Sequence, residues 1–367
     1  MEIKSIKLFE LQDFINSDLY KKSKLIPISR QRAISQIHNP RASQNDTVLI
    51  VAIDKNKQIV GYIGALPEKL NIKQDLKICW NSCWWTDKEK GKKISMFLFY
   101  KLLDEWDSNL IFRDLTDRTK KIILSTNRFL AVKEIYNFKG FLKFNFAEIL
   151  PRKIHFFKHL TFLLKFIDAI LNLKMRIYHY IYLLKIKNDE IKTVEIETVD
   201  KEAETFINLY NKNEVIRRGK NELNWILKYP WLTEIKNEEN TNAQKKYYFS
   251  LIKKQFKNKL IKIYYKEKII GVVLLTQIDG EVKIPYIYFS SENIDLIVSF
   301  LMQFLINNNS KIFFTANKEI VKFISNKKLF FIHKKMIIKD FVISKNIEKY
   351  IDKNMTLQDG ESDFVFT

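Results

Sequence analysis

The chain has 367 residues, 46% of them hydrophobic and 14% aromatic, with 63 Lys and Arg against 42 Asp and Glu for a formal charge of +21. Such a composition excludes a disordered chain and fills one large or two ordinary domains, while the cationic excess favours anionic partners such as nucleic acid, a phosphate-bearing cofactor or an acidic membrane surface. With only two cysteines, Cys79 and Cys83, a disulfide scaffold is excluded and a reducing, cytoplasmic compartment is expected.

The opening stretch MEIKSIKLFELQDFI carries acids and lacks an apolar core with a small-residue cleavage site, so it does not read as a signal peptide. No run reaches the roughly 18 apolar residues that would span a bilayer. In chain order, TVLIVAID and QIVGYIGAL flank the polar turn KNK and predict a β-hairpin. LKICWNSCWW predicts a further strand, and from Ile94 the apolar positions Ile94, Phe97, Leu98, Leu102 and Trp106 follow a helical period. LIFRDL reads as a strand, TDRTKKIILSTN as a helix capped by Thr116 or Asp117, and FLAVKEIYNFKGFLKFNFAEIL as closing strands.

Residues 152–190 change character. This stretch is apolar, basic and almost free of acids, and predicts one or two amphipathic helices. Residues 191–367 then repeat the order of 1–151. LIKIYYKEKIIGVVLLTQ predicts a second hairpin with Gly271 opposite Gly61, followed by strand EVKIPYIYF, helix NIDLIVSFLMQFLINN, strand KIFFTA, helix NKEIVKFISNK and strands in FFIHKKMIIKDFVIS. The pattern is an α+β (α/β) fold made by internal duplication.

Between the strand and the helix of the first half lies CWWTDKEKGKKISMF, a tight cationic loop with one glycine. A helix N-terminus there offers unpaired N–H groups and a partial positive charge, and Lys88, Lys90, Lys92 and Lys93 add to the field, so the loop suits a pyrophosphate. The corresponding stretch of the second half, SSENID, is acidic and lacks glycine.

The order hairpin, strand, charged loop, helix, strand, helix, strand resembles the GNAT superfamily of acyl-CoA-dependent N-acyltransferases. The resemblance implies two tandem GNAT-like domains, each a mixed sheet flanked by helices, joined by a basic helical linker. It implies that the strand before the loop and the strand after the helix splay apart around the pantetheine arm of acetyl-CoA or another acyl-CoA. The family loop is Q/R-x-x-G-x-G/A; here Lys90 stands at the basic position and Lys93 and Ser95 where the glycines usually are. Carried over, the cofactor residues are Trp85, Thr86, Lys90, Gly91, Lys92, Lys93, Ile94 and Ser95, with an oxyanion donor from the strand backbone between Trp80 and Trp85 and a tyrosine acid, Tyr136 or Tyr100.

Three further readings come from the residues themselves. Arg30, Arg32 and Arg41, with Arg217, Trp225 and Tyr229 in the second half, form basic and aromatic stretches suited to a small-molecule or saccharide acceptor. His155 and His159 stand four apart without an accompanying Glu, so no metal is expected. The basic segment 152–190 suits contact with an anionic membrane, placing the protein in the cytoplasm or at the inner membrane face. The resemblance makes an acyltransferase of bacterial envelope or polysaccharide pathways the expected function. An aminoacyl-tRNA-dependent peptidoglycan-type transferase, the one case that calls for a nucleic acid, and a non-catalytic binding protein are the alternatives.

Overall fold

The computed structural model describes residues 1–71, 76–89, 91–186, 190–235, 244–327, 329–351 and 355–366, with backbone alone at 91, 92, 132–135 and 340. The first half contains β1 (Glu2–Lys7), α1 (Leu11–Asn16), α2 (Asp18–Lys22), α3 (Arg30–Ile37), β2 (Thr47–Ile53), β3 (Ile59–Lys69), β4 (Lys77–Thr86), α4 (Gly91–Glu105), β5 (Leu110–Arg113), α5 (Asp117–Ser125) and β6 (Phe129–Phe141). The connecting segment forms α6 (Phe146–Lys153) and α7 (Thr161–Ile186). In the second half are β7 (Ile191–Ile196), α8 (Lys201–Tyr210), α9 (Lys220–Lys228), the short β8 (Thr233–Glu234) and β9 (Ile252–Lys253), β10 (Phe256–Tyr265), β11 (Lys268–Ile278), β12 (Glu281–Phe289), α10 (Ile294–Asn307), β13 (Ile312–Thr315), α11 (Lys318–Asn326), β14 (His333–Ser344) and α12 (Lys345–Glu348).

Both predicted hairpins form, and the glycines set opposite each other in the sequence do the same job. A β-carbon on Gly61 would stand 3.0 Å from Cγ2 of Ile94 in α4, and one on Gly271 would stand 2.7 Å from Cδ1 of Ile297 in α10. Each absent side chain lets the helix after the loop lie directly on the hairpin. α5 is capped by Thr116, whose hydroxyl accepts from the backbone N–H of Thr119. The last residues expected to be strand, Phe146 to Leu150, are instead helical: Asp168 of α7 accepts from the N–H groups of Phe146 and Ala147, both at 2.9 Å, and its charge suits a helix start.

Each half is a mixed α+β layer. β4–β5 and β12–β13 pair in parallel, and the neighbouring strands pair antiparallel. The halves share one twelve-stranded sheet in the order β1-β2-β3-β4-β5-β14-β6-β13-β12-β11-β10-β7. The two final strands are therefore exchanged. β14 of the second half pairs with β5 of the first, Ile343 opposite Ile111, while β6 of the first half pairs with β13 of the second, Phe313 opposite Gly140. β6 and β14 pair with each other over most of their length.

One face of the first half is covered by α4 and α5, and the matching face of the second half by α10, α11 and α7. The other face holds α1 to α3 over the first hairpin, and α8, α9 and the carboxyl-terminal segment 355–366 over the centre. The central core joins the halves, with Trp80 and Ile111 packed in the same cluster as Trp225, Tyr286 and Phe366.

Candidate active site

In the first half, β4 meets β5 only at Cys79–Leu110 and Trp80–Ile111. Beyond Trp80 no strand among the described residues pairs with the β5-facing edge of Asn81 to Thr86. A β-bulge starts the divergence: Cys83 pairs with Gly64 and Asn81 with Ala65, leaving Ser82 as the extra residue. The second half repeats the device, since β12 pairs with β13 only through Lys283, and a bulge falls between the Thr276–Lys283 and Leu274–Tyr286 pairs.

The two splays differ in what fills them. In the second half the chain's own carboxyl-terminal segment runs along β12. Gly360 N–H donates to Pro285 O at 2.7 Å, Gln358 binds both the N–H and the C=O of Ile287, and the Tyr286 hydroxyl donates to Gly360 O. Only a glycine fits there, because a β-carbon at 360 would collide with the Tyr286 ring. In the first half, the register sets Ser82, Trp84 and Thr86 where Pro285, Ile287 and Phe289 stand. Ser82 O accepts from Arg32 Nη2 at 2.9 Å, and no described segment of chain lies along Trp84 and Thr86. Trp84 stacks on Phe99 of α4, centroids 5.7 Å apart, and its buried Nε1 has no hydrogen-bond partner among the described residues.

The predicted cofactor residues gather at this edge. Trp85 stacks on Tyr62 at 5.5 Å, and the Thr86 methyl lies against Gly61. Gly91 opens α4, followed by Lys92, exposed Lys93, buried Ile94 and half-buried Ser95, while Lys90 lies outside the described residues. Neither predicted acid joins them. Tyr100 is exposed nine residues into α4, about 14 Å along the helix from Gly91. Tyr136 is exposed in β6, opposite Ile338 of β14. The tyrosines on the far side of the bulge are Tyr62, whose buried hydroxyl lacks a partner among the described residues, and Tyr247, which accepts from Arg32 Nη1 at 2.7 Å. Burial pushes both phenols well above their usual range.

The acceptor candidates are spread out and mostly engaged by the chain. Arg30 binds Asn16 and Ile15 O, and Arg217 binds Asn211 and Asn208. Arg41 is paired with Glu222 at 2.6 Å and donates to Arg217 O. Trp225 is a core residue whose indole donates to Ser35 O, and Tyr229 stacks on His38. Arg32 alone reaches the bulge, lying over the Trp231 ring at 4.0 Å and 3.5 Å from Asp363.

What sequence reasoning missed is the carboxyl-terminal segment and the arginines that hold it. Arg113, at the end of β5, donates to the carbonyls of Asp359 and Glu361 and pairs with the Asp359 carboxylate at 2.6 Å. Arg218 is buried between Glu68 at 2.6 Å and Glu361 at 2.9 Å. Phe364 lies under Arg113 at 4.3 Å and Lys283 at 4.6 Å, residues on β5 and β12 with three strands between them, so its ring is shared by cations from both halves. Burial raises Glu361 to about 7 and Glu214, beside it, to about 8. The signal available in the sequence was the acid run DGESD closing a chain of such positive charge.

No family model matches the chain, and no curated protein matches it in sequence. Solved structures do match. A probable N-acyltransferase from Enterococcus faecalis V583 superposes with a TM-score of 0.51 at 11% identity, covering 96% of this chain and 74% of that one. A GCN5-related N-acetyltransferase from Anabaena variabilis matches at 0.48 and 10%, over 93% and 71% of the two chains, and a putative acetyltransferase from Pyrococcus horikoshii at 0.48 and 11%, over 100% and 95%. With its paired hairpins, bulged and splayed fourth strands and parallel fifth strands, the chain carries the GNAT fold twice in tandem.

Proposed function

We propose that the protein is an acyltransferase that uses acyl-CoA, acetyl-CoA in the simplest case, in the first half only. The observation that carries this reading is the contrast between the splays: the second is filled by the chain's own residues 358–360, the first is not. The backbone groups of Trp84 and Thr86, the orphaned Trp84 indole and the N-terminus of α4 fit the amide-bearing arm and the pyrophosphate of CoA. When bound, CoA supplies a thioester carbon open to attack by an amine or hydroxyl.

The chain's own residues do the rest. Arg32 fixes the bulge by holding Ser82 O, and Tyr247 holds Arg32 in turn. Asp363, partly exposed beside Arg32, is the carboxylate placed to take the proton of an incoming ammonium. Burial raises its pKa, against the lowering effect of Arg32, which strengthens it as a base. Trp85 and exposed Tyr248, 6.2 Å apart, wall this side with aromatic faces, which supports a saccharide or other small ring-bearing acceptor.

Calorimetric titration of the full chain with acetyl-CoA tests the reading. Gly91→Asp adds a like charge where the pyrophosphate would sit, yet an acid at a helix start favours the helix, so the fold should survive. Affinity should fall at least tenfold in that variant and stay unchanged in Asp295→Asn, in the first turn of α10. Equal affinity in Gly91→Asp and the parent protein, or no binding by the parent, would refute it.

A further inference from the structure

α7 has two unlike faces. Inward, Leu164, Asp168 and His179 are buried, Asn172 exchanges two hydrogen bonds with the backbone of Phe144, and Tyr182 packs on Phe330. Outward, the helix is apolar and uncovered: Phe162 is 86% exposed, Phe166 59%, Leu173 59%, Ile177 57%, Tyr180 62% and Leu184 62%. At 3.6 residues per turn the exposed apolar residues occupy one arc roughly 160° wide along a helix about 39 Å long. Exposed Lys165 and Arg176 border that arc on one side, and exposed Lys174 and Lys185 stand within its other flank, at the angle of Ile167. Soluble proteins rarely leave an apolar patch of this extent in water.

The surroundings carry one sign of charge. Between Phe146 and Ile186 there are seven Lys and Arg and two acids. Both acids are engaged, Glu148 by Arg152 and Asn145, and Asp168 by the start of α6. Beneath α7 two open cavities of about 210 and 450 Å³ bring Lys143, Arg176 and Lys311 together. Among the described residues no hydrogen bond or ion pair engages the side chains of these three. Partial burial and the charges of Lys311 and Arg176 lower the Lys143 pKa; Glu148 and Asp168 also line the second cavity, so cations outnumber acids there without being free of them.

We infer that α7 lies in the plane of an anionic phospholipid surface, its apolar arc among the acyl chains and its flanking cations at phosphate level, with Lys143, Arg176 and Lys311 receiving a lipid phosphate. The helix does not cross the bilayer, since no helix among the described residues is long and apolar enough. A second copy is the poorer occupant, because a two-fold contact through this face would set its cationic borders against their own duplicates. The inference is independent of the acyl-transfer reading.

Co-sedimentation of the full chain tests it, with vesicles of phosphatidylcholine alone and of equal parts phosphatidylcholine and phosphatidylglycerol. The protein should pellet with the anionic vesicles only and be released by salt. Two variants at exposed positions, Phe166→Glu with Ile177→Glu, and Lys165→Glu with Lys174→Glu, should each lose at least ten-fold in partitioning with unchanged melting temperature. Lys143→Gln with Lys311→Gln should weaken binding to phosphatidylglycerol vesicles several-fold. Failure to pellet at low salt, or partitioning of either charge-inserting variant equal to the parent's, overturns the inference. So does light scattering that finds a dimer dissolved by Phe166→Glu, which would assign the face to a second copy.

Discussion

Ile343, near the end of the second half's last strand, stands in register with Ile111 on the fifth strand of the first half. The half that carries the proposed cofactor edge thus takes the strand beside β5 from the other half. Residues 1–151 expressed alone should therefore lack a cooperative unfolding transition and should be rescued by co-expression with 152–367. Circular dichroism and urea unfolding of the separate and joint products check this. A fragment 1–151 that unfolds cooperatively alone would show that β6 can turn back onto β5.

Glu214 makes stability depend on pH. Its carboxyl is buried, and its pKa rises from 4.5 unfolded to about 8 folded. The folded state therefore holds a proton that the unfolded state releases, so this contribution is present in full below about pH 4.5 and is lost as pH rises to about 8. Glu214→Gln keeps an acceptor for Gln358 and removes the titration. Stability from denaturant unfolding should be higher than in the parent at pH 8.5, by a few kcal/mol at most, and the decline between pH 5 and 8 should flatten. A parallel decline in both proteins would assign the pH dependence elsewhere.

The Arg218 pairs can be separated by a mutant cycle. Arg218→Met leaves Glu68 and Glu361 buried without their partner and should cost about 3–5 kcal/mol. Adding Glu361→Gln should recover part of that loss, because one of the two stranded carboxylates is gone. Additive losses in the double variant would mean that the pair is not coupled.

Phe366 stacks on Trp231 at 4.5 Å and meets Trp225 edge-on at 4.9 Å. Phe366→Ala should cost about 3–5 kcal/mol and alter the near-ultraviolet dichroism of the tryptophans. An unchanged spectrum with unchanged stability would mean that the carboxyl-terminal segment is not anchored there in solution.

Gly61→Val would press a branched side chain against Ile94 and Leu98, whose methyls would already meet a β-carbon at 3.0 and 3.1 Å. α4 must move outward, at about 1–3 kcal/mol. If the cofactor edge depends on where α4 begins, acetyl-CoA affinity should fall with it, and calorimetry on the folded variant separates the two effects.

The elements of both halves were legible because each is written locally, in period-two runs around KNK and KEK and in the helical spacing from Ile94. So was the pairing of Gly61 with Gly271. The strand exchange was not, since the alternation of β6 and β14 is satisfied equally by either neighbour and the choice rests on contacts far apart in sequence. The arginines were misleading for the same reason. Arg32 and Arg41 read as groups awaiting a substrate because their partners, Asp363 and Glu222, stand 331 and 181 positions away. A local window cannot register such pairs. The acids of the carboxyl-terminal segment, which no local pattern singles out, are counter-charges of the core.

Arg113 and the residues it grips at 359 and 361 are separated by 246 and 248 positions. On the ribosome, β5 is thus made long before the strand and the segment that complete its surroundings, and an apolar edge and three arginines wait throughout. Contacts of this span slow folding, and incomplete sheets attract one another while they wait. The chain should therefore depend on holdases during synthesis and fold late and all at once, only when β14 has emerged.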